Sequence, residues 1–111
     1  MSEIEPGFIE DEAIKSLARM LKNITEEEGR FDLTDNIKRS RSLNEFTEAI
    51  YNALRVANTI KKQKKGSFVY IPNDRDLEKI FKYAEDIKTL PSLKNVIASY
   101  ALSFHYGKEV E

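Results

Sequence analysis

Apolar residues recur at helical spacing in four stretches of the chain, and the breaks between them mark where those helices should end. In the first, Ala13, Ile14, Leu17, Ala18, Leu21 and Ile24 share one face of a helix over Ile9–Ile24. Glu10, Asp11 and Glu12 fall in its first turn and Lys22 near its end, the polarity a helix dipole favours. Residues 25–41, TEEEGRFDLTDNIKRSR, hold few apolar positions and a central Gly29, which predicts a long loop with at most one helical turn near Thr34–Lys38.

The second stretch opens on SLNE, where Ser42 followed by Glu45 forms a capping box. Leu43, Phe46, Ile50, Ala53, Leu54, Ala57 and Ile60 then line one face, and Gly66 stands where a C-terminal cap is expected. SFVYI, residues 67–71, is β-branched and aromatic and therefore extended, either pairing with the RFDL around Phe31 or serving as an ordered connector. Pro72 keeps Ile71 extended, and Asn73 or Asp74 caps a third helix carrying Leu77, Ile80, Phe81, Ala84 and Ile87. After TLPS, a last helix places Leu93, Val96, Ile97, Tyr100, Ala101 and Phe104 together and ends at Gly107. The pattern predicts a single all-α domain over residues 1–111, a bundle of four or five helices with at most one short strand or hairpin.

Composition narrows the chemistry. The chain has 111 residues, 41% of them hydrophobic and 33% charged, with no cysteine. That excludes a disulfide framework, a zinc knuckle and a thiol nucleophile. With no secretory signal and no apolar run long enough to span a bilayer, a cytoplasmic protein without membrane contact is expected. His105, the one histidine, lies near the predicted end of the last helix, as a dipole partner would, and no arginine precedes it at the spacing of helical R-x4-6-H ribonucleases. The acids of residues 25–35 lack the order of a calcium loop, and no glycine-rich phosphate cradle is present. Neither catalysis nor a metal or other cofactor is expected.

The net charge of −1 conceals a segregation. Residues 1–36 carry ten acids and four bases, whereas residues 37–65 carry two acids and eight bases. The bases are Lys38, Arg39 and Arg41 before the second stretch, Arg55 within it, and Lys61, Lys62, Lys64 and Lys65 at its end. On a helical wheel Arg55 and Lys62 face solvent, Lys61 and Lys65 take a flank, and Lys64 points along the apolar face. An unpaired lysine cannot enter the core, so the helix must end or overhang soon after Ile60. The lysines fit a solvated basic helix end. They also fit a phosphate-binding edge beside which Phe68 or Tyr70 stacks an unpaired base. In an alternating strand Phe68 and Tyr70 share one face, expected to be the inner one, so the lysines are the stronger candidates and the rings are expected to be buried.

The segment ALRVANTIKKQKKGSFVYIPNDRDLEKIFKYAEDI, with NVIASYALSFHYGKE after it, resembles the small subunit of archaeal type I-A CRISPR surveillance complexes, the Cascade-like effectors of antiviral defence. The likeness rests on a helix ending in a basic turn, VYIP, LEKIFKYA behind an acidic cap, and ASYALSFHYG, and it covers residues 53–108. The helical small subunits of type III effectors are similar too. The resemblance implies a non-enzymatic subunit that packs on the backbone subunits of a ribonucleoprotein and helps hold guide RNA, target or displaced strand, with weak self-association allowed. It carries over Lys61, Lys62, Lys64, Lys65 and Arg55 as nucleic-acid contacts. Two other classes stay open: a helical protein–protein adaptor whose basic segment docks on acidic residues, and a small DNA-binding regulator, for which a helix-turn-helix and a two-stranded wing are missing.

Overall fold

The computed structural model describes residues 11–64, 66 and 68–102. They form five helices: α1 (Glu12–Glu28), α2 (Asp32–Arg39), α3 (Leu43–Gln63), α4 (Asp74–Ala84) and α5 (Leu90–Ala101). No strand occurs among the described residues, and the all-α expectation holds. Phe104, His105 and Gly107 of the predicted last helix, together with Ile9, Lys65 and Ser67, lie outside the described residues.

α1 is the hub. Its apolar stripe is fully buried, with Ile14, Leu17, Met20, Leu21 and Ile24 all at 1% exposure or less. It packs most extensively on α5, then on α4, and also on α3, while α2 packs on α3 and α5. α3 and α4 touch only lightly, and a groove lies between them. The buried face of α3 is Phe46, Ala49, Ile50, Ala53, Ala57 and Ile60; Leu43 and Leu54 sit at its edge.

Asp11 caps α1. Its Oδ1 accepts hydrogen bonds from the Ala13 and Ile14 amides at 2.8 and 3.2 Å. The same carboxylate fastens α4, because Oδ2 accepts from the Tyr83 hydroxyl and from Lys79 Nζ at 3.2 Å. Burial works to raise the Asp11 carboxyl, but the bonds from Tyr83, the Ile14 amide and Lys79 outweigh it and hold the group below its ordinary value. Tyr83 is pushed up, by burial first and by the same hydrogen bond.

Several expectations are corrected. Residues 25–41 are largely helical, not a long loop: α1 continues through the exposed Glu26–Glu28 and stops at Gly29, whose φ of 65° and N–H bond to the Thr25 carbonyl make a left-handed cap. α2 exists because Leu33 and Ile37, four apart, are both buried, with Asp32 and Asp35 in its first turn and Lys38 and Arg39 in its last. RFDL therefore offers no strand to residues 67–71, and 68–71 is a connector. Ser42 caps α3 by accepting from the Glu45 amide at 3.2 Å, but the Glu45 carboxylate reaches the Arg41 N–H, not that of Ser42. α4 ends at Ala84, so Ile87 falls in the following turn and is 77% exposed. Thr89 closes that turn by donating to the carbonyls of Tyr83 and Asp86, and α5 begins at Leu90 with Pro91 in its first turn.

Candidate nucleic-acid interface

The connector after α3 builds the most suggestive surface of the molecule. Val69, 2% exposed, turns into the core and pins the connector to the body. Since alternate residues of an extended chain point opposite ways, its neighbours turn outward. Phe68 is 89% exposed, against the expectation that both rings face inward, while Tyr70 is half-buried. The Tyr70 amide is satisfied by Asn23 Oδ1 on α1 at 2.8 Å, and the Arg19 guanidinium, one turn earlier, lies 5.1 Å from the Tyr70 ring centroid.

These groups line an open, shallow cleft of about 520 Å³, formed by Arg19, Asn23, Lys61, Phe68, Val69, Tyr70 and Ile71. Among the described residues no carboxylate lines it. Its charged side chains are both cations, and with the Asn23 oxygen taken by Tyr70 the remaining amide hydrogens of that residue also donate. A donor-lined recess beside an exposed ring suits a ligand that brings acceptor oxygens and a flat apolar face.

The expected basic residues do not form one edge. α3 spans 21 residues, about 30 Å at the helical rise, and separates Lys38, Arg39 and Arg41 at one end from Lys61 and Lys62 at the other. Arg39 pairs with Asp35 at 3.1 Å, while Lys38 and Arg41 are exposed at the α2–α3 joint. Arg55 is exposed along α3 but lines neither the cleft nor the groove. Lys64 is the C-cap of α3 and folds back to α1, where Nζ meets Glu28 Oε2 at 2.8 Å; this bond raises its pKa. The helix thus runs three residues past Ile60, and Lys64 escapes the core as required. It answers to a carboxylate of its own chain. Lys65 lies outside the described residues.

Arg19 and Asn23 were missed by reading charge in blocks, because they belong to the acidic first segment. Their spacing of four, on the polar side of α1, was the available signal. Among the described residues no group of acids or histidines is placed to hold a metal ion, and no helix is long and apolar enough to cross a membrane. No family model, curated protein or solved structure matches the chain.

Proposed function

We propose that this domain is a non-enzymatic subunit that holds single-stranded nucleic acid within a larger ribonucleoprotein, the CRISPR interference complex named by the sequence resemblance. The observation that carries the reading is the cleft between α1 and the connector, with cations and donors on its walls and Phe68 at its mouth. Arg19 and Lys61 meet backbone phosphates, and Phe68 stacks a base, which an unpaired strand alone can offer. Tyr70, held by Arg19 and Asn23, forms a wall of the site and is not its free stacking ring. Lys62 extends the positive field along the strand, while Lys38, Arg39, Arg41 and Arg55 belong to other surfaces. Neighbouring subunits of the complex supply further contacts, so binding by the isolated chain is weak and strengthens on assembly.

The test is a salt titration of single-stranded oligonucleotide binding. Replacing Arg19 and Lys61 by alanine should flatten the plot of log affinity against log salt by about 0.7 per lost contact. Replacing Lys38, Arg39 and Arg41 should leave the slope of the cleft unchanged. An unaltered slope in the Arg19/Lys61 variant, with incorporation into the complex lost, would favour the adaptor reading, in which these cations meet a protein's carboxylates. Recovery of the full chain from its cells without any guide RNA would overturn the CRISPR setting alone.

A further inference from the structure

A second recess opens beside the connector, between α3 and α4. It has a volume of about 550 Å³, and its floor and walls include Tyr51, Leu54, Ile71, Leu77 and Phe81. Tyr51 is 52% exposed although its ring lies 5.6 Å from that of Phe81, so the aromatic pair bridging the two helices remains open to solvent. The charged groups lining this groove, Asp74 and Glu78, are both acids of α4. Arg55, Arg75 and Lys82 stand nearby in sequence but do not line it.

We propose that this groove receives an amphipathic helix from a partner protein, presenting aliphatic side chains flanked by lysine or arginine. Apolar walls with aromatic anchors call for an apolar face, and Asp74 and Glu78 select cations beside it. The same carboxylates repel phosphate, which excludes a nucleic-acid strand from this side. The partner is helical because α3 and α4 form the walls as two ridges into which a third helix can pack. Strand addition would need a free sheet edge, and the described residues contain no strand. This site is independent of the strand-binding cleft and stands or falls separately from it.

The experiment titrates the isotope-labelled full chain with a synthetic helical peptide of about five turns, leucines on one face and lysines beside them. A second peptide carries glutamate in place of each lysine. The lysine peptide should bind saturably, with amide shifts centred on Tyr51, Leu77 and Phe81. Glu78→Lys should weaken it about tenfold and improve the glutamate peptide, and Tyr51→Ala should weaken both, as loss of an apolar anchor requires. Both positions are exposed, so folding survives, which the amide spectrum of each variant verifies. The proposal is overturned by absent saturable binding, by shifts centred on the Arg19 cleft, or by a Glu78→Lys variant that treats both peptides as wild type does. Sedimentation showing self-association that Tyr51→Ala abolishes would give the groove to a second copy and overturn it equally.

Discussion

Ile71 lines both recesses, yet they offer opposite chemistry. On one side of the connector Arg19 and Lys61 present cations; on the other Asp74 and Glu78 present carboxylates. The segregation of charge along the chain does not explain this contrast. Arg19 and Asn23 come from the first 36 residues, where acids outnumber bases ten to four. Asp74 and Glu78 lie beyond the basic block, after the connector. What matters is which helical face each residue occupies: i, i+4 pairs on α1 and α4 aim like groups into one recess, while charges between them on the wheel look elsewhere.

The contrast can be broken most severely by removing a support of the cleft wall. Ile60 is 3% exposed and anchors the turn of α3 that carries Lys61. Ile60→Ala should destabilise by about 2–5 kcal/mol in denaturant unfolding and weaken strand binding with it. Val69→Ala, in the shared connector, should cost about 1.5–3 kcal/mol and loosen both recesses together. A loss confined to one recess would show that the connector is not their common wall.

Phe68→Ala separates function from stability. If the ring stacks a base, affinity for single strands should fall by about 1–3 kcal/mol, while the unfolding midpoint stays put because the ring is almost wholly exposed. A lower midpoint with unchanged affinity would move Phe68 into a packing role.

The opposite face of α4 is tied to Asp11, which sharpens the comparison by pH. Because the folded Asp11 carboxyl lies below its ordinary value, its ionised contacts stabilise fully above the unfolded pKa of about 4 and are lost as pH falls through the folded value. The Tyr83 hydroxyl, raised in the fold, contributes below about pH 10 and fades as pH climbs through its folded value. Asp11→Ala should cost about 0.5–2 kcal/mol for the cap alone and shift α4, so peptide binding in the groove suffers and strand binding in the cleft does not. Asp11→Asn should keep the cap but flatten the acid limb of stability against pH.

The smallest effect belongs to Lys64. Its exposed pair with Glu28 is screened by water and salt, so Lys64→Ala should leave both the unfolding midpoint and the salt slope of strand binding within error. A flattened slope would return Lys64 to the phosphate-binding set.

Much of the fold was written in local pattern. The stripes of α1, α3, α4 and α5, the cap at Ser42, the α4 cap, where of the two candidates Asn73 accepts from the Asp76 amide, and the escape of Lys64 from the core follow from periodicity and capping chemistry, which act over one or two turns. For α2 the sequence predicts at most one turn near Thr34–Lys38, because Leu33 and Ile37 make only one apolar pair in a polar stretch and an eight-residue helix is too short to hold without the α3 and α5 surfaces it covers. The cleft lay further out of reach. Lys61 and the aromatic run were visible as neighbours in sequence, but Arg19, Asn23 and the inward turn of Val69 join them only when α1 lies against the connector. Sequence by itself determined four of the five helices and most of their apolar faces, because backbone hydrogen bonding and side-chain periodicity are local. Tertiary packing alone decided which polar faces meet, since that depends on how buried stripes from distant segments orient one helix against another.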